Sequence, residues 1–195
     1  MNHLSLARRV VGVIALAAVV AAVPVVAADA GVNGTAAAGC ATVHWGSLPK
    51  TGSATTSEAV SNVRAGHHAC YDRLVVDLGP AGVGRPGFDV RYVPAVRADG
   101  SGALVPVRGA ADIQVVVRAP AYNVTTGRPT YRPANPRELV PVAGWPTLKQ
   151  VAWAGSFEGT TTLAVGVRAR LPMRAFVLDG PGLGHRLVVD IAHHW

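Results

Sequence analysis

Acidic residues are scarce in this chain. Eleven aspartates and glutamates stand against 18 lysines and arginines in 195 residues, a formal net charge of +7 at pH 7. Only three acids are glutamates (Glu58, Glu138 and Glu158), and none belongs to an obvious pair, so the two facing carboxylates of a glycosidase are missing. No Gly-x-Ser-x-Gly elbow occurs; AGSFEG at Ala154–Gly159 lacks that spacing. GPGLGH at Gly180–His185 is glycine-rich but leads into strand-forming sequence rather than a helix, which removes phosphate-loop chemistry. Cys-x-x-Cys is absent too. Adjacent histidines on a strand point to opposite faces, so His67-His68 and His193-His194 each supply at most one metal ligand. A cross-strand set of His68, His185 and His193 is the one metal arrangement these residues suggest. The expectation from these missing constellations is no catalytic residue, no metal and no cofactor.

The N-terminus is rich in what the rest lacks, a long apolar run. Arg8 and Arg9 precede the apolar stretch from Val10 to Ala28, and Ala28-Asp29-Ala30 follows as a small-x-small site. That order reads as a secretory signal peptide over residues 1–30, cleaved near Ala30. The Arg8-Arg9 pair leaves the export route open. Removing the segment leaves about 165 residues, enough for one compact domain, and lowers the net charge by one unit with the loss of Arg8, Arg9 and Asp29. A basic exported domain suits an anionic cell surface. Its arginines are spread singly, and the compartment is wrong for nucleic acid, so no nucleic-acid partner is expected. No membrane span remains after cleavage.

Cysteine is down to Cys40 and Cys70. Two cysteines in an oxidising compartment point to one disulfide, closing a loop of about thirty residues and adding ~3–4 kcal/mol in the chain-entropy model. The rival is lipidation of Cys40, because AAGC at Ala37–Cys40 resembles a lipobox. Against it, the apolar core ends about a dozen residues too early, and a lipidated Cys40 would orphan Cys70.

Beyond the arm at residues 31–56, rich in small residues and tied by Cys40, hydropathy alternates with period two. In FDVRYV, Phe88, Val90 and Tyr92 share a face opposite Asp89 and Arg91. In DIQVVVRA, Ile113, Val115 and Val117 face inward; in TTLAVGVRAR, Leu163, Val165 and Val167 do. Strands are expected near Ala59–Arg64, Arg73–Leu78, Phe88–Val96, Ala103–Val107, Ile113–Ala119, Leu148–Phe157, Thr160–Arg170 and Arg186–His193, with a shorter one near Ala175–Leu178. SFEGTT marks a tight hairpin. The proline-rich stretch Pro120–Pro146 reads equally as a functional loop and as a cross-sandwich connection pinned by its aromatics. No amphipathic helix stands out. The fold class is all-β, a single-domain β-sandwich over residues 57–195, with about eight or nine strands and one disulfide.

One motif occurs twice, RLVVDLG at Arg73–Gly79 and RLVVDIA at Arg186–Ala192. Arginine and aspartate four apart on a strand are ~13 Å from each other, so they cannot pair within either copy. If the copies pair antiparallel in register, Arg73 meets Asp190 and Asp77 meets Arg186; in separate sheets each finds another partner. Ion pairing, not catalysis, is the expected role. YDRLVVDL followed by a β domain that ends in a second RLVVDI resembles the AMIN domain of exported bacterial proteins. WGSLPK, NVRAGHHACYDRLVVDL, VRYVPAVRADGSG, QVAWAGSFEGTTT and RLVVDIAHHW together resemble the AMIN-like proteins of actinobacteria across Trp45–Trp195. The resemblance implies a sandwich of two similar sheets, with the twin motif as a trace of pseudo-symmetry. It also implies targeting to the cell envelope, with peptidoglycan as ligand. AMIN domains usually accompany a second module, such as a zinc amidase, and none is legible here.

The expected function is therefore that of a secreted or envelope-associated, non-catalytic module binding peptidoglycan or another anionic wall polymer. Arg91, Arg118, Arg168 and Arg170 on outward strand positions, with Tyr122, Tyr131 and Trp153 for stacking on sugars, are the expected contacts. The alternative is a scaffold or accessory subunit with an envelope protein as partner. The oligomeric state stays open.

Overall fold

A computed structural model describes residue 40 and residues 42–79, 82–180 and 182–195; the expected signal peptide lies outside them. Alternating hydropathy produces nine strands: β1 (Lys50–Gly52), β2 (Val60–His67), β3 (Tyr71–Leu78), β4 (Gly87–Val93), β5 (Ala111–Arg118), β6 (Leu148–Phe157), β7 (Thr160–Val167), β8 (Met173–Asp179) and β9 (His185–Ala192). They form a five-stranded sheet in the order β1-β4-β5-β7-β6 and a four-stranded sheet in the order β2-β3-β9-β8, with every pair antiparallel. The inward residues of both sheets interleave into one core, Leu74, Val76, Leu187 and Ile191 on one side and Ile113 and Leu163 on the other. This is the all-β sandwich that the period-two pattern predicts, and the Cys40–Cys70 disulfide is formed. Among the described residues no helix is long and apolar enough to cross a membrane.

Two local features differ from the sequence-based expectation. Lys50–Gly52, assigned to the arm, adds an edge strand to β4. Ala103–Val107 makes no strand; Leu104 forms only an isolated bridge to Arg97. Its alternation has another use. Val105 and Val107 join Val96 in a second small core against Ala152, Ala154 and Ala164 on the outer face of the five-stranded sheet. Gly166 permits this close approach, since a Cβ there would sit 1.9 Å from the Arg108 carbonyl oxygen. The proline-rich connection between β5 and β6 is pinned to the sandwich, as one of its two sequence readings expects. Leu139 N donates to Val151 O and Trp153 N to Pro136 O, which satisfies the outer edge of β6.

The twin copies, expected to mark two similar sheets, are instead neighbours at the centre of one sheet. β3 and β9 pair in register, with Arg73 opposite Asp190 and Asp77 opposite Arg186. Their likeness follows from that position, because both strands bury one face in the core and are flanked by strands on both sides.

The SFEGTT hairpin turns through Glu158 (φ 46°) and Gly159 (φ 80°), a two-residue turn with both residues left-handed. Glutamate is a poor occupant of that region, where asparagine is tolerated. Glu158→Asn is therefore expected to raise stability by about 0.5–1 kcal/mol, read from the urea midpoint with an unchanged denaturant slope.

Candidate functional site

The four-stranded sheet has an outer face that carries its polar alternation. Asp190 of β9 is fully buried there although it points away from the core. Arg73 of β3 grips it bidentately, Nε to Oδ1 at 2.6 Å and Nη2 to Oδ2 at 2.9 Å. Arg174 of β8, opposite Asp190 in register, adds Nε to Oδ2 at 2.9 Å. Hydrogen bonding to Asp190 raises the Arg73 pKa above its ordinary value despite partial burial. One carboxylate thus holds two guanidiniums side by side, a net positive charge fixed in place.

Aromatic rings frame these arginines. The Arg174 guanidinium lies 4.2 Å from the Trp45 ring centre, 5.3 Å from Phe176 and 5.7 Å from Tyr71. Arg73 lies 5.3 Å from Tyr71 and 5.9 Å from Phe176. His68 stacks on Tyr71 at 4.5 Å. Trp45 reaches the face because Gly46 O accepts Met173 N at the start of β8, which anchors the arm between the disulfide and β1. Trp45, His68, Tyr71, Arg174 and Phe176 all keep partial solvent exposure. Nη1 of Arg73 and of Arg174 has no hydrogen-bond partner among the described residues. Flat rings beside spare, fixed donors suit a polyhydroxylated, anionic ligand.

The other diagonal of the twin motif is used differently. Asp77 takes Arg64 of β2 bidentately at 2.8 and 3.0 Å, while Arg186 donates to the Asp179 carbonyl. Each aspartate draws an arginine from its own flanking strand, β2 or β8. Only Asp190 also draws the arginine of the opposite copy.

A second polar cluster sits at the rim of the interior, where the two sheets meet. Asp72 of β3 is fully buried, and its Oδ2 accepts Thr147 N at 2.9 Å and Leu148 N at 2.8 Å. Oδ1 faces His67 Nδ1 at 2.8 Å and His193 Nε2 at 3.2 Å. Burial by itself would push the Asp72 pKa up, but the bonds from His67, Leu148, His193 and Thr147 hold it below the usual carboxylate value. Asp72 is therefore ionised, and both imidazoles donate to it. The histidine set suggested by sequence is not assembled. His68 faces the outer platform, and His185 pairs with buried Glu58 at 2.9 Å. His67 takes the place expected for His68, on the opposite face as strand alternation requires.

The seven sequence-predicted contact residues do not form one surface. Arg91 and Arg118 line a shallow depression on the outer face of the five-stranded sheet with Gln114 and Thr160, and Arg91 is paired with Asp89. Tyr131 and Trp153 pack on each other at 5.6 Å and against the core. Tyr122 accepts Gly159 N through its hydroxyl. Arg168 donates to the Pro146 and His193 carbonyls. Arg170 lies over Tyr92 at 5.0 Å and donates to Ser47. The platform residues Trp45, Tyr71, Arg73, Arg174 and Phe176 are not among those seven, although the register of the twin motif carried the signal for the Arg73–Asp190 pair.

A family model described as "AMIN-like domain" matches residues 58–193. No curated protein and no solved structure matches the chain.

Proposed function

The chain belongs to the AMIN-like domain family, and from that premise we propose that it is an exported, non-catalytic module that binds an anionic wall polymer such as peptidoglycan. Residues 1–30 act as the signal peptide, and residues 57–195 form the binding domain, with the arm between them tied down by Cys40. The observation that carries this reading is the platform on the outer face of the four-stranded sheet. Two arginines are fixed on one buried carboxylate, with Trp45, Tyr71 and Phe176 beside them. The rings offer faces to sugar C–H groups, and the guanidiniums offer paired donors to carboxylate or phosphate. The charge excess of the chain favours approach to a polyanion and makes binding sensitive to salt.

Co-sedimentation with purified cell wall tests it. Retention is expected at low salt and is expected to weaken at raised salt. Trp45→Ala and Arg174→Ala, both at partly exposed positions, are each expected to lower affinity about tenfold, the loss of one stacking or cation–π contact of ~1–2 kcal/mol. Arg91→Ala and Arg118→Ala, on the other sheet, are expected to leave it unchanged. A protein that stays in the supernatant at low salt would overturn the reading, and losses confined to the Arg91 and Arg118 variants would move the site to the five-stranded sheet.

A further inference from the structure

The His67–Asp72–His193 cluster is independent of the platform, and its geometry points to a second site. We propose that these three side chains bind one borderline divalent transition-metal ion, of the Zn²⁺ type, between the ends of β2, β3 and β9. One ligand atom from each residue lies within 4.8 Å of the other two. A tetrahedral ion with bonds of about 2.0–2.1 Å sets its ligands roughly 3.3 Å apart. The two oxygen–nitrogen separations, 2.8 Å to His67 and 3.2 Å to His193, are already close to that value. The His67 ring rests between Trp145 and His193 at 5.6 and 5.5 Å, and its side chain is 49% exposed, so its solvent side leaves room for water to complete the coordination.

The chemistry of the donor set selects the ion. Two imidazoles and one carboxylate oxygen suit Zn²⁺, Co²⁺, Ni²⁺ or Cu²⁺ and not the all-oxygen shells of Ca²⁺ or Mg²⁺. The carboxylate is oriented in advance. Its other oxygen is fixed by two backbone amides at the start of β6, the outer-shell support that metal-binding carboxylates have. In the metal-free protein His67 Nδ1 and His193 Nε2 converge on Oδ1; on binding, each coordinating nitrogen gives up its proton, carried instead by the other nitrogen of the neutral imidazole, and the ion takes its place beside the carboxylate. A bound ion would tie β2, β3 and the end of β9 in the four-stranded sheet to one another, beside the existing bonds from Asp72 to the start of β6.

Titration of the purified protein decides it, with the disulfide intact so that no thiolate competes. Zn²⁺ by calorimetry is expected to saturate at one equivalent, and Co²⁺ to give visible absorption bands of a low-symmetry four-coordinate site. Affinity is expected to fall at least tenfold in His67→Ala and in His193→Ala, and to match the parent in His44→Ala and His194→Ala. Zn²⁺ is expected to raise the melting temperature of the parent but not of His67→Ala. His67 is half exposed, so that variant keeps its fold and decides the matter even where His193→Ala does not fold. Absence of saturable binding, or parental affinity in His67→Ala, overturns the proposal.

Discussion

Replacing Asp72 with alanine is expected to cost about 4 kcal/mol, a large part of the ~5–15 kcal/mol that holds a domain of this size together. Thr147 and Leu148 are both fully buried, and their amides have Asp72 Oδ2 as acceptor. Without it two N–H groups are stranded in the interior at ~1–3 kcal/mol each. The two sheets also lose a polar tie at this rim, since Asp72 belongs to one sheet and Leu148 opens a strand of the other. Asp72→Asn keeps an oxygen for the amides and is expected to cost about half as much. Urea unfolding followed by tryptophan fluorescence at pH 7 measures both.

The same carboxylate gives the fold an acid limit. Its folded pKa lies below its unfolded value. Its contribution is therefore fully present above the unfolded value, ~3.9, and is lost as pH falls through the lower folded value. Stability of the parent is expected to drop across that window, and Asp72→Asn to drop less steeply there. Parallel curves for the two proteins would show that Asp72 does not contribute.

Asp190→Ala is expected to cost about 3 kcal/mol, near the lower end of what breaking a buried pair costs. The low end applies because Arg73 is 24% and Arg174 40% exposed, so water screens the two guanidiniums left behind. They become like charges without a counterion, packed among aromatic rings. Removing one of them should relieve the repulsion, so Asp190→Ala/Arg73→Met is expected to be more stable than Asp190→Ala alone. A thermodynamic cycle over the two sites measures that coupling. The single variant is also expected to lose wall retention with its fold still cooperative, since Arg73 and Arg174 are then no longer held in place. Unchanged stability in Asp190→Ala would show that the arginines hold their positions without it.

Most of the fold was legible in the chain because burial in a two-layer sandwich imposes a period-two pattern that local reading detects. Leu74, Val76, Leu187 and Ile191 alternate and are all buried, and the hairpin at Glu158-Gly159 lies where its turn residues put it. The same reading erred at Ala103–Val107, because alternation reports which residues face an apolar surface and not whether the backbone finds a ladder partner. Trp153 and Tyr131 misled for a related reason. An aromatic residue in a sequence looks the same whether it stacks on a ligand or, as here, leans on the core.

Sequence by itself determined most of the strand pattern and the excess of positive charge, which depend on short-range periodicity and composition, and its motifs carried the resemblance to the AMIN-like family. Strand geometry also settled that Arg73 and Asp77, or Arg186 and Asp190, cannot pair within their own copies of RLVVD. Only the tertiary structure decided that the copies lie side by side and that Asp190 collects Arg73 from one neighbour and Arg174 from the other. It also brought His67 and His193 to one carboxylate from 126 positions apart in numbering. The physical reason is the same in each case. Alternation assigns a residue to a face, whereas which strand lies next to it, and in what register, depends on packing and pairing across distant parts of the chain.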